Sequence, residues 1–418
     1  MDSSEHSSEQ NMINELRDQI EDKKLIIEMN DDLENIEFMN DFNIEELSIN
    51  FCPNIIPKLS NSNIKKIILD NCGIHCLNDF QLPNLETLIV QESNFEDSHK
   101  LLQSLVQFKK LKELELKGYE NLELNLIPLQ LTELCLNRCN LKNIEQLSQL
   151  PKLTQLILYG NQDVDITSLS QMFQLTELNV YECCLKNVDA LGSLLYLKKL
   201  SISNNDGRYF FQDIDQIKSL VNLKELYLSN NQSLDINSLQ HLVNLKELDL
   251  SFNSYINIQP LQYLKSLSSL KLYQCSIIDL TYLKPLINLK ELDISVNNIV
   301  YLEPLKELQQ IVSLSAYSNK IRYYSVLNNH PNSSSYKLGN QDQTTKIVIM
   351  FAKELRDINA QISSLKSMRL LRSNLKSKMK LKRNKIEQCL QRIIDDSTQF
   401  IQQVASFFQQ LSTFQNSQ

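Results

Sequence analysis

Cys72, His75 and Cys76 put two thiols and an imidazole in one short stretch, a trio that could open a zinc site. A tetrahedral site needs a second ligand pair at comparable spacing, and none follows. The five His (His6, His75, His99, His241 and His330) are scattered, with no arrangement of nucleophile and base around any of them. Six Gly, of which Gly192 and Gly207 are the closest pair, cannot build a phosphate-cradling loop. No catalytic residue, metal or cofactor is therefore expected. What does recur is Tyr and carboxylate: Tyr159, Tyr181, Tyr227, Tyr273 and Tyr317, with Glu225, Glu247, Asp249 and Asp293, at a few fixed places in a repeating string. Ring faces and carboxylates attract cations, so this set suits recognition of Arg and Lys side chains rather than bond chemistry.

The string that places them is L-x-x-L-x-L-x-x-N/C. It begins at Ile44, Ile64, Leu85, Leu111, Leu131, Leu153, Leu175, Leu197, Leu223, Leu245, Leu267, Leu289 and Ile311, thirteen copies of which most are 22 residues apart. Leu at positions 4 and 6 alternates as in a strand, with both side chains on one face. One such strand cannot bury that face alone, so the copies are expected to stack into a parallel sheet of about 13 strands over a continuous Leu core. The later apolar residues recur every three, as in Ile299, Leu302, Leu305 and Leu308, which predicts tight or 3₁₀ turns on the returning side. No helix longer than three turns is expected before residue 340. Position nine is Asn161, Asn205, Asn231, Asn253, Asn297 or Asn319 in some copies and Cys52, Cys72, Cys139, Cys183 or Cys275 in others. Asn there can hydrogen-bond the backbone as it leaves the strand, and Cys is a small buried substitute.

Composition narrows the setting. Nine Cys without paired spacing, no basic and apolar leader at M-D-S-S-E-H-S-S-E-Q, and no long apolar run predict a cytoplasmic chain, with a nuclear one as the alternative. Net charge is −8, but residues 341–418 hold 13 Lys/Arg against 6 Asp/Glu, leaving −15 over 1–340. An acidic body with a basic tail predicts separate modules.

The 22-residue frame with its trailing I-x-x-L-x-x-L-x-x-L resembles the short-repeat class of leucine-rich-repeat proteins, which includes the regulator of protein phosphatase 1 and the bacterial internalins. N-Q-S-L-D-I at 231–236 and H-P-N at 330–332 are similar in style to protist families such as those of diplomonads. The resemblance implies an α/β solenoid bent into an arc over 44–330, a scaffold or adaptor that binds a protein on its concave face. A phosphatase regulatory subunit is the narrower version of that function. Positions 3, 5 and 7 of each frame would line the concave face. Position 3 supplies Glu46, Glu113, Glu133, Glu177, Glu225, Glu247 and Glu291, interrupted by Lys66 and Lys199. Position 5 adds Glu115, Tyr227, Asp249 and Asp293, and position 7 adds Tyr159, Tyr181, Tyr273 and Tyr317, so a partner with a basic surface is expected. The same Glu residues would also serve solubility and cross-strand pairing with Lys. In the long repeat beginning at Leu197, Arg208, Tyr209 and Phe210 project from an insertion and form a candidate loop contact. The other long repeat, at Leu85, reads as helical over 98–110.

Five segments follow: a disordered tail (1–24), an N-terminal cap (25–43), the solenoid (44–330), a polar linker (331–345) and a basic helical segment (346–418). Ile321, Tyr324, Val326 and Leu327 are expected to cover the last copy. In the final segment Ile386, Leu390, Ile393, Phe400, Val404, Phe407, Leu411 and Phe414 keep a heptad spacing, suited to a hairpin or coiled coil. Its stretch 366–385 carries nine basic residues and no acidic one, a further place where nucleic acid or an anionic membrane could bind.

Overall fold

The structure is a computed structural model, and it describes residues 3–28, 35–52, 58–72, 76–91, 98–185, 188–205, 214–231, 234–321, 326–327 and 330–338. The chain divides into two compact units, 1–275 and 276–418.

In the first unit every frame supplies a strand that starts at its third residue. The strands in chain order are β1 (Lys24–Glu28), β2 (Glu46–Asn50), β3 (Leu59–Ser60), β4 (Lys66–Asp70), β5 (Phe80–Gln81), β6 (Thr87–Gln91), β7 (Glu113–Lys117), β8 (Glu133–Asn137), β9 (Gln155–Ile157), β10 (Glu177–Asn179), β11 (Lys199–Ser201), β12 (Glu225–Tyr227), β13 (Glu247–Asp249) and β14 (Ser269–Lys271). All but β3 and β5 join one parallel sheet in sequence order, while β3 and β5 pair with each other. Strand neighbours align frame position with frame position, as in Glu225 with Glu247 and Tyr227 with Asp249. That register is forced by the Leu pattern, because a one-residue slip would turn Leu226 and Leu248 out of a core in which both are fully buried.

The spacing of three is realised as 3₁₀ turns, among them Glu145–Gln149, Thr167–Gln171, Asp215–Ser219, Asn237–His241 and Gln259–Tyr263. Several of these open on an Asx turn, in which Asn143, Asp165, Asp235 or Asn257 accepts the backbone N–H two residues on, at 2.7 to 3.1 Å. In the repeat beginning at Leu85 the helix α2 (Ser98–Ser104) takes that place.

The amino-terminal region corrects the expectation of a disordered tail over 1–24. Ser3–Asp18 is a helix of 16 residues, α1, longer than the three-turn limit read from the repeat pattern. Its Leu16 is buried and Arg17 lies 5.2 Å from the Phe42 ring centroid, so the helix has partners that a polar sequence does not advertise. Strand β1 then adds one rung before the first full frame.

In the second unit β15 (Glu291–Asp293) and β16 (Ser313–Ser315) are paired in parallel, one for each remaining frame. Ile321 and Leu327 are buried as expected of a cover, while Tyr324 lies outside the described residues. The start of the segment read as a linker is packed instead. Lys337 bridges to Ser315 in parallel, and Tyr336 is fully buried with its hydroxyl donating to the Ile311 carbonyl at 3.0 Å. An aromatic ring with a carbonyl in reach gains more from burial than its polar neighbours lose. The basic helical segment 346–418 lies outside the described residues.

Candidate protein-binding face

The outward side chains of β2 to β14 fall into rows that cross the strands. Frame position 3 gives Glu46, Lys66, Thr87, Glu113, Glu133, Gln155, Glu177, Lys199, Glu225, Glu247 and Ser269 in register. Part of this row is self-neutralised: Lys24 and Lys66 flank Glu46 at 2.8 and 3.5 Å, and Lys199 meets Glu225 at 3.1 Å. Glu133 is in register with Glu113, with Glu177 two strands away beyond Gln155, and burial together with these two charges raises its pKa above 4.5. Burial likewise raises the pKa of Glu115.

Tyr227 sits where the carboxylates converge. Its hydroxyl donates to Glu225 Oε2 at 3.2 Å, and the Lys199 ammonium lies 5.8 Å from its ring centroid. Burial, then the charges of Glu247 and Glu225, push the phenol well above its ordinary value, so it remains a protonated donor. The Glu225 contact raises the pKa of Lys199 in turn. Asp249, beside Tyr227 on β13, accepts the Ser251 backbone N–H at 2.9 Å, which fixes its carboxylate at the strand exit.

A second aromatic group lies at frame position 7. Tyr159 and Tyr181 are tilted against each other with centroids 5.3 Å apart. Arg138 reaches across from the preceding repeat, its guanidinium 5.1 Å from the Tyr159 centroid and donating to the Tyr159 hydroxyl at 2.7 Å, with Glu182 4.0 Å away. Gly160 makes room for it: a Cβ there would stand 2.6 Å from Arg138 Cγ, and its φ of +74° already favours glycine. Tyr273 pairs with Phe252 at 4.9 Å.

The frame reading thus names the tyrosines but misses Arg138, Glu182 and Phe252. All three occupy position 8, where the chain turns off the strand with positive φ in Phe51, Asn71, Arg138, Glu182, Asn204, Asn230, Phe252 and Gln274 alike. Recurring Asn and Gly at that place were the available signal. In the second unit Asp293 accepts the Ser295 N–H at 2.9 Å, the counterpart of the Asp249 contact, and Tyr317 holds position 7 with its carbonyl accepting the Val296 N–H at 2.9 Å. Arg208, Tyr209 and Phe210 lie outside the described residues.

Position nine is structural. Asn161 accepts the N–H groups of Cys139 and Leu141 and donates to the carbonyls of Leu136 and Leu158. The Cys183 thiol donates to the Leu158 carbonyl at 3.1 Å, and burial pushes it up to about 12, far from a nucleophile's range. Cys72 is buried in the same manner, pushed up to about 11, while His75 lies outside the described residues.

No protein-family model matches the chain, and no curated protein matches it. Among solved structures, TLR13 in its complex with ssRNA13 aligns over 76% of this chain and 54% of its own, at 20% identity and a TM-score of 0.52. This chain therefore spans about half the length of that chain. An internalin (inlF) of Listeria monocytogenes aligns over 81% of this chain and 80% of its own at 20% identity and a TM-score of 0.46. An internalin C2 (inlC2) of the same organism aligns over 52% and 81% at 27% identity and a TM-score of 0.38. The likeness to TLR13 is one of fold, and with the frame and its strand ladder it makes this chain a leucine-rich-repeat solenoid.

Proposed function

We propose that the chain is a non-catalytic protein-binding scaffold of the cytoplasm or nucleus, whose outward sheet face over β9 to β14 takes a partner segment rich in Arg or Lys. The observation that carries this reading is the seat around Tyr227, where a stiff amphipathic ring lies among Glu225, Glu247 and Asp249 on adjacent strands. Phosphate would be repelled by those carboxylates, so a nucleic acid on this face is disfavoured. A phosphatase regulatory subunit is one scaffold of this kind, and an adaptor working through the basic stretch 366–385 is a separate use of the chain.

The experiment compares a partner captured by the full chain against two double variants. Tyr227→Ala with Tyr273→Ala is expected to weaken binding by about 2 kcal/mol or more, chiefly through faster dissociation. Glu247→Gln with Asp249→Asn is expected to slow association and flatten its salt dependence, because Asn keeps the acceptor for Ser251 while the charge is lost. Unchanged binding by both variants would move recognition to residues 206–213 or 366–385.

A further inference from the structure

Each of the two tyrosine seats already holds a cation from this chain. Arg138 lies over Tyr159 and Lys199 over Tyr227, both within the ~6 Å reach of a cation–π contact. The two arrangements differ in how firmly they are closed. Arg138 is stacked closely, donates to the Tyr159 hydroxyl, and runs through space that Gly160 leaves open. Lys199 lies farther from its ring and pairs with Glu225 at 3.1 Å. Tyr227 donates to the same Glu225 oxygen that Lys199 approaches, so ring, carboxylate and ammonium form one unit.

We infer that Lys199 is an internal stand-in for the partner's cation, occupying an exchangeable seat on Tyr227, whereas the Arg138 seat on Tyr159 is permanently closed. This rests on the reading that the face binds a basic segment. The physical consequence is selectivity. An incoming guanidinium stacks on the ring and pairs with Glu225 and Glu247 through a planar fork, which the resident ammonium cannot match. An incoming Lys would only trade one ammonium for another. The face is thereby tuned to Arg over Lys, and Lys199 keeps the Glu225 charge compensated when no partner is present.

The test uses a synthetic octa-arginine peptide with the full chain, titrated at about 0.15 M and about 0.5 M salt. Lys199→Met is expected to tighten binding about tenfold at the lower salt and to keep most of that gain at the higher. Lys271→Met removes the same charge from β14, in register with Asp249 but away from the Tyr227 ring, and is expected to give a smaller gain that disappears at the higher salt. Arg138→Met is expected to give no gain. Melting curves that match wild type certify that each variant is folded. A Lys199→Met gain no larger than that of Lys271→Met at both salts overturns the inference, as does a gain from Arg138→Met. The underlying reading fails separately if adding Tyr227→Ala to Lys199→Met leaves peptide binding intact.

Discussion

At the scale of single residues, the Asn and Cys at frame position nine show how one side chain joins two repeats. Asn253 donates to the carbonyls of Leu228 and Leu250 at 2.8 Å each and accepts the Asn231 N–H at 2.9 Å, fully buried. Replacing it by Ala strands those groups away from water, which is expected to cost about 2–4 kcal/mol in urea unfolding. Asn253→Cys is expected to cost clearly less, because the thiols of Cys183 and Cys275 donate to the matching carbonyl of the preceding repeat. Equal losses for the two variants would show that the hydrogen bonds at this place contribute nothing beyond volume. The role of position nine is legible in the sequence because Asn and Cys alternate there. The left-handed turn at position 8 is less so, since Arg138, Glu182 and Phe252 adopt it against their preference.

At the scale of elements, stacking strands in exact register places identical residues side by side whether or not they attract. Glu133, in register with Glu113 and two strands from Glu177, is such a case. Its pKa is raised in the folded chain, so the fold favours its protonated form: the stability this gives is present below 4.5 and is lost as pH rises through the folded value. Glu133→Gln is therefore expected to raise the melting temperature near neutral pH, with the difference vanishing as pH falls below 4.5. A variant that melts below wild type at neutral pH would show that the acidic row is held by a favourable contact. Glu45 has the opposite sign. The ammonium groups of Lys23 and Lys65 hold it at about 2, so its contribution is present above 4.5 and is lost as pH falls from there toward about 2. Frame positions announce these charges, yet only the register says which charge faces which.

At the scale of the whole molecule, a stack of repeats must end, and each end is finished by residues outside the frame. The first unit begins with α1 and β1, and the second closes on Tyr336. His330 is buried against that ring, its Nδ1 3.1 Å from the Tyr336 hydroxyl. Burial lowers its pKa below 6.5, opposed by the nearby carbonyls of Leu305 and Lys306. The folded chain thus resists a proton that the unfolded chain accepts, and stability present above 6.5 is lost as pH falls from there toward the folded value. Unfolding midpoints are expected to drop between about pH 7 and about pH 5 in wild type, and to drop less in His330→Asn. An equal drop in both would place the pH response elsewhere.

The repeat, its strands and its 3₁₀ turns were legible from the residues alone, because a period-two Leu pattern inside a 22-residue spacing admits one way to bury every Leu. The sequence also named Tyr159, Tyr181, Tyr227 and Tyr273 as a set, since their frame positions face outward. What each ring meets came from the folded stack. Arg138 and Lys199 reach Tyr159 and Tyr227 from the preceding repeat, 21 and 28 positions earlier in the chain. No local pattern reports such a contact, because it depends on stacking register and side-chain length together. The two ends were hidden for the same reason: the sequence of α1 is polar and that of 331–338 is rich in Ser, and the burial of Leu16 and Tyr336 depends on what each meets in the fold rather than on any local pattern.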